Sequence, residues 1–151
     1  MLPYRVILGT VIVLAFCWLA WVNFQSKNVP ETLDLSSGTS FKSKPAMYCK
    51  LQDDSGTLSG DLYIFHDAAR FDIDTITSKG APLGVHVLNT HEDTTYYWID
   101  GEKTGYKYNY ADAYKKLGLN LITKIRCKSW VLPDGGLFIA PSPTEVTFPK
   151  F

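Results

Sequence analysis

The feature that most limits how this chain folds is an uninterrupted apolar segment close to its amino terminus. The 17 residues Val6–Val22 include no charged side chain and a single hydroxyl, that of Thr10. As a helix they would extend about 25 Å, at the short end of what spans the hydrocarbon core of a bilayer. Trp18 and Trp21 lie near the end of the segment, where amphipathic rings favour the membrane interface. The sequence therefore predicts a transmembrane helix over residues 1–24.

Three fates of this segment are compatible with its sequence: a retained signal anchor, a cleaved signal peptide, or a lipoprotein acylated on Cys17. A cleavage site needs small residues two positions apart, but bulky Trp18 stands two residues before Ala20. A lipoprotein signal needs a small residue directly before its cysteine, where this chain has Phe16. We expect a retained anchor and keep the other two fates as alternatives.

Two further regions follow the apolar segment. Residues 25–46 are rich in Ser, Thr, Lys and Pro without apolar periodicity, which predicts a flexible linker. Residues 47–151 form the expected β-rich domain and contain 11 Lys or Arg against 13 Asp or Glu. Domains that bind nucleic acid usually have a strong basic excess, so we expect no nucleic-acid partner.

Short runs of alternating apolar and polar residues, separated by turn residues, follow one another through the domain. Because successive strand side chains point to opposite faces, Phe71 and Ile73 should share one face while Arg70 and Asp72 share the other. Helix-forming residues then predict a short helix over 111–117. The expected fold class is α+β, mostly β: a transmembrane helix, then a single antiparallel curved sheet of about six strands with one short helix and an irregular Pro-rich tail.

The chain has three cysteines, of which Cys17 lies in the apolar segment and Cys49 and Cys127 lie in the domain. A disulfide between the last two would close a loop of about 78 residues and add roughly 4 kcal/mol of stability. Disulfides persist outside the cytosol, so this pairing predicts an extracytoplasmic domain on a single-pass anchor in the cytoplasmic membrane. The alternative is a pair of buried free thiols.

A set of spaced residues carries a resemblance to a known group of proteins. The set is Cys49, Gly60, Tyr63, Arg70, Asp72, Tyr96, Trp98, Asp100, Gly101, Gly105, Lys107, Cys127, Trp130, Asp134, Phe138, Pro141, Val146 and Phe148. Over about residues 47–149 this pattern resembles small exported proteins of candidate-phylum bacteria, an uncharacterised family that implies no activity. The successive strands also resemble the lipoprotein-carrier half-barrel at the level of fold, which implies an acyl chain held between sheet and helix.

Candidate chemical sites are sparse. His86 and His91, with the acids at 92–93, have ligand types suited to zinc but no third ligand at fixed spacing, so we expect no metal site. Asp72 and Asp74 lie about 7 Å apart on one strand face, a separation that glycosidase carboxylates also show. We interpret them as a solvated face. Catalytic motifs are missing from the sequence, so we expect neither an enzyme nor a cofactor.

Aromatic residues form the most distinctive pattern in the domain. Tyr96 and Trp98 alternate on one strand, and Tyr106, Tyr108 and Tyr110 alternate on the next run. If the two strands pair, their rings should form a cross-strand ladder. Such a ladder either belongs to the packed core or offers a flat, low-entropy surface to a ligand or partner protein.

Two functions are therefore expected from different classes. The first is a membrane-tethered, non-catalytic binding or structural module that contacts an envelope protein or polymer. The alternative is a carrier or sensor of a lipid or acyl chain. The two functions make different demands on one face of the sheet. In a carrier this face would leave a pocket for the lipid, whereas in a binding module it would be filled by a core of Phe71, Ile73, Val85, Val87 and Leu117.

Overall fold

A computed structural model of the chain describes the backbone of residues 28–29 and all atoms of residues 33–90, 92 and 94–149. Within these residues there is no helix with the length and apolar character needed to cross a bilayer. The predicted anchor over residues 1–24 lies outside them and stays a prediction.

Seven strands of four to nine residues and one of two residues form a single antiparallel sheet. In chain order the strands are β1 (Asn28–Val29), β2 (Met47–Asp53), β3 (Ser59–Phe65), β4 (Ala68–Ile76), β5 (Pro82–Asn89), β6 (Thr94–Ile99), β7 (Tyr106–Asn109) and β8 (Ile122–Ser129). Their spatial order is β1-β8-β2-β3-β4-β5-β6-β7, and the sheet does not close. The predicted single antiparallel sheet is confirmed.

The last strand departs from a simple succession of hairpins. Strands β2 to β7 pair with their chain neighbours, as the turn residues predict, but β8 returns to pair with β2. Its side chains alternate between outward Lys124, Arg126 and Lys128 and inward Ile125 and Cys127. The predicted count of about six strands is therefore low by the two strands on the far side of β2.

One helix, α1 (Tyr110–Lys116), follows β7 directly. The side chain of Asn109 caps its amino terminus by accepting a 2.9 Å hydrogen bond from the backbone N–H of Asp112. Gly118 adopts a left-handed conformation with φ 68° just beyond the helix, a conformation that glycine tolerates best. The predicted short helix is confirmed.

One face of the sheet, the inner face, packs against α1 and the segment before β2. Phe71 and Val87 on this face are fully buried, and Ile73 and Val85 are nearly so. The ring of Phe41 lies 5.8 Å from that of Phe71 and meets it edge-on, an arrangement that favours aromatic pairs. Side chains therefore fill the space between the sheet and its helix.

Part of the predicted linker belongs to this core. Leu33, Leu35 and Phe41 are all buried, and residues Gly38–Phe41 form a short 3-10 helix. The backbone carbonyl of Leu35 accepts a 2.8 Å hydrogen bond from the hydroxyl of Tyr110. The domain therefore begins before residue 47, because three apolar side chains in a polar stretch are enough to dock it without any periodic pattern.

The disulfide between Cys49 and Cys127 is present, and it joins directly opposed residues of β2 and β8. Both cysteines are buried on the inner face. The bridge links residues 78 apart in sequence and so fixes the pairing of β2 with β8, which no hairpin turn enforces.

Candidate binding surface

The opposite side of the sheet, the outer face, divides into a covered half and an open half. The chain after β8 crosses the strands β4 to β6, where Val146 and Phe138 pack with Leu88 and Trp98. The ring of Phe148 lies 5.0 Å from that of Tyr96. This tail also pairs with the segment just before β7, since the Gly105 N–H donates to the Thr147 carbonyl at 2.9 Å.

Beneath the tail, a polar network crosses three strands of the covered half. Asp72 Oδ1 accepts a hydrogen bond from Arg70 Nε at 2.8 Å and is also hydrogen-bonded to His86 Nδ1 at 2.6 Å. The other ring nitrogen of His86, Nε2, lies 2.9 Å from Asp100 Oδ1. The imidazole stacks on Trp98 with ring centroids 5.3 Å apart. Arg70 also donates to the carbonyl of Leu137 at 3.0 Å, which ties the network to the tail.

The geometry around His86 favours the imidazolium form. Both ring nitrogens face carboxylate oxygens, and only the protonated ring can donate from both. The hydrogen bond to Asp72 raises the pKa of His86 above its usual value of 6.5, against the opposing effect of burial, with a further contribution from Asp100. Burial opposes ionisation of Asp72, but the hydrogen bonds from His86 and Arg70 outweigh it and lower the pKa of this carboxyl.

The open half consists of the outward positions of β8, β2 and β3, and none of its side chains is buried. Across the three strands these positions are Lys124, Arg126, Lys128, Tyr48, Lys50, Gln52, Ser59, Asp61 and Tyr63. Four cations therefore share this surface with one carboxylate. The domain from residue 47 onwards has a slight excess of acidic residues, whereas its open half has an excess of basic ones.

Contacts within the open half order its side chains around two tyrosines. Asp61 pairs with Lys50 at 2.6 Å and accepts a 2.8 Å hydrogen bond from the hydroxyl of Tyr48. The ammonium groups of Lys50 and Lys128 lie 5.5 and 5.2 Å from the centre of the Tyr48 ring. The Tyr63 ring lies 5.3 Å from that of Tyr48. These contacts hold aromatic faces and cations side by side.

A groove of about 330 Å³ opens on this half of the sheet. Its lining includes Lys50, Lys124 and Arg126, with Asp61 and Asp74 at its other side. Lys50 and Lys124 have side chains that are 65% and 52% exposed, and each ammonium group pairs with one carboxylate, Lys50 with Asp61 at 2.6 Å and Lys124 with Asp54 at 3.5 Å.

The aromatic residues predicted to form one ladder lie on different faces. The strands β6 and β7 do pair, but the register places Tyr106 opposite Tyr97 and Tyr108 opposite Thr95. Tyr106 and Tyr108 therefore lie on the side of Tyr97, whereas Tyr96 and Trp98 lie on the outer face. A shift of one residue in register exchanges the faces, and the sequence alone did not fix it.

The five predicted residues also differ in burial. Trp98 and Tyr110 are buried, 7% and 5% exposed, under the tail and in the core respectively. Tyr96 is half-buried against Phe148. Tyr106 is 36% exposed and stacks on half-buried Tyr108 with ring centroids 6.1 Å apart. Of the predicted set, Tyr106 alone is exposed, and it lies on the edge strand β7.

The sequence candidates for metal binding and catalysis occupy separate surroundings. His86 lies in the network with Asp72 and Asp100, Glu92 is exposed, and His91 and Asp93 fall outside the described residues. The described part of the chain holds no group of three histidine, cysteine or acidic side chains that could ligate a metal ion. Asp74 lies opposite Gly84 on the outer face, two residues along β4 from Asp72.

Sequence reasoning missed the open half as a surface. The pattern Lys124-x-Arg126-x-Lys128 has the two-residue period of cations on one strand face. Recognising it required the strand assignment of residues 122–129, and the spacing of Leu121 and Ile125 fits a helix as well as a strand. Lys50 then joins the row only through the non-local pairing of β2 with β8.

Comparisons of this chain with protein-family models, with curated protein sequences and with solved structures give no match. The resemblance to exported proteins of candidate-phylum bacteria therefore stays a prediction.

Proposed function

We propose that this chain is a membrane-tethered, extracytoplasmic β-domain that acts as a non-catalytic binding or structural module of the cell envelope. The observation that carries the proposal is the contrast between the two sheet faces. The inner face is filled by its own side chains, while half of the outer face presents accessible cations and tyrosines. Such a molecule has its binding capacity on the surface of the sheet.

The packed inner face argues against the lipid-carrier alternative. An acyl chain between sheet and helix would need space where Phe71 and Val87 are fully buried. The rings of Phe41 and Tyr110 lie 5.8 and 6.5 Å from that of Phe71 and occupy the position a ligand would take. Opening this space would cost several kcal/mol of buried apolar contact.

Two features support the extracytoplasmic location. The apolar segment at residues 6–22 has the length and composition of a membrane span. The buried disulfide is a bond that reducing cytosol would not maintain. With the domain outside, the anchor has its amino terminus in the cytoplasm.

The location is tested with the full chain in the inner membrane of a bacterial host. Alkylation of denatured, unreduced protein should modify Cys17 alone, and reduction should release Cys49 and Cys127 for a second label. Protease added to spheroplasts should digest the domain. Three alkylated thiols before reduction, together with a protease-protected domain, would place the domain in the cytoplasm and refute the proposal.

A further inference from the structure

We infer that the open half of the outer face binds a linear acidic polysaccharide through the cations of β8 and β2. This inference rests on the proposed function and names the ligand class of that module. The probe ligand is polygalacturonate, a sugar chain with one carboxylate on each residue.

The arrangement of charge favours an extended polyanion. Lys124, Arg126 and Lys128 alternate along β8, so they form a row about 13 Å long with cations roughly 7 Å apart. Lys50 lies opposite Arg126 on β2 and adds a second line to the row. A single small anion would contact one or two of these groups, whereas a chain of regularly spaced carboxylates can contact the whole row.

The tyrosines favour a polymer whose sugar rings each present an apolar face of C–H groups. Tyr48 is ordered by its hydrogen bond to Asp61 and by the ammonium groups above its ring, and Tyr63 continues the aromatic surface onto β3. Pre-ordered tyrosines bind at a low cost in conformational entropy. The cations of β8 and β2 thus lie beside the tyrosine rings of β2 and β3. This combination suits acidic sugars.

The shape of the surface distinguishes a polysaccharide from an anionic membrane. Lys50, Lys124 and Arg126 line a groove whose other side holds the carboxylates of Asp61 and Asp74. A narrow chain can lie along the cationic side of such a groove. A flat layer of lipid phosphates would also meet the two carboxylates and be repelled by them.

The first test measures affinity of the full chain, in non-ionic detergent, for polygalacturonate. The double variant Arg126→Gln/Lys128→Gln should bind roughly tenfold more weakly than wild type. The control Lys79→Gln/Lys115→Gln removes the same charge from exposed positions outside the open half and should bind as wild type does. Unaltered unfolding transitions in both variants establish that folding is unaffected. Equal losses in the two variants, or no loss in either, would overturn the inference.

The second test separates the polysaccharide from the membrane as the occupant. Full chain in phosphatidylcholine discs is treated with a water-soluble acetylating reagent, and modification of each lysine is measured by mass spectrometry. Polygalacturonate should slow acetylation of Lys50, Lys124 and Lys128 and leave Lys79 and Lys115 unchanged. Protection of the same three lysines by phosphatidylglycerol discs alone, without polysaccharide, would assign the surface to the membrane and overturn the inference.

Failure of these tests is separable from failure of the proposed function. If the thiol and protease measurements place the domain outside and polygalacturonate does not bind, only the ligand class is refuted. If the domain lies in the cytoplasm, the proposed function fails whatever the affinity for the polysaccharide.

Discussion

At the scale of single residues, His86 illustrates what strand alternation can and cannot predict. Alternation correctly placed Asp72 on the face opposite Phe71 and Ile73, and pairing of β4 with β5 sets His86 opposite Asp72. Nothing in the local pattern indicates Asp100, which reaches the ring from the turn that follows β6. A histidine considered as a metal ligand is instead a bridge between two carboxylates.

The charge on this bridge predicts a pH dependence of stability. Because the pKa of His86 is raised in the folded state, its contribution is fully present below the unfolded value near 6.5 and is lost as pH rises through the folded value. The free energy of unfolding should therefore fall between about pH 5.5 and about pH 8.5 by more in wild type than in His86→Gln. The variant Lys79→Gln, altered at an exposed position between β4 and β5, is the control and should follow wild type. Identical pH profiles for wild type and His86→Gln would contradict the bridge.

At the scale of elements, local signals were sufficient for β2 to β7 and for α1. Each hairpin in this series is enforced by turn residues close to its strands, and α1 has its cap and its terminal glycine within a few residues. The pairing of β8 with β2 depends on residues 78 apart and on a strand whose alternation is of cations rather than apolar side chains. Its position was therefore not predictable from local pattern.

The tail is the second element that the sequence left undefined. Its described residues, 130–149, form no long strand or helix, and they contribute isolated side chains such as Val146 and Phe148 to the outer face. Nothing in a Pro-rich stretch indicates which sheet face it crosses. Its course decides which half of the outer face is covered, and hence which half is available for binding.

Docking of the tail predicts a measurable cost for one side chain. Phe148→Ala removes the ring that contacts Tyr96 and Trp98, and it should lower the free energy of unfolding by about 1–3 kcal/mol. Leu132 lies in the same tail but is 83% exposed, so Leu132→Ala should change the free energy of unfolding by no more than about 0.5 kcal/mol. Chemical denaturation of the three proteins provides the comparison. Equal effects of the two substitutions would mean that the tail does not pack on the sheet.

At the scale of the whole molecule, the main features follow from a few strong constraints. The two domain cysteines predicted the bridge that the structure contains, whereas the anchor predicted from the apolar segment stays a prediction. The domain boundary was set too late, because Leu33, Leu35 and Phe41 dock without periodicity. The predicted aromatic surface combined residues that the register of β6 and β7 places on opposite faces of the sheet. The cationic surface could be recognised only from the complete strand order.

The central claim is that the molecule binds on the outside of its sheet and holds nothing between sheet and helix. Native mass spectrometry of residues 28–151, expressed into an oxidising compartment and purified without detergent, tests it most directly. Because the inner face is filled by side chains such as Phe41 and Phe71, the account predicts the bare polypeptide mass less the hydrogens lost to one disulfide. A reproducible additional mass equal to that of a lipid or fatty acid would contradict the account and restore the carrier function.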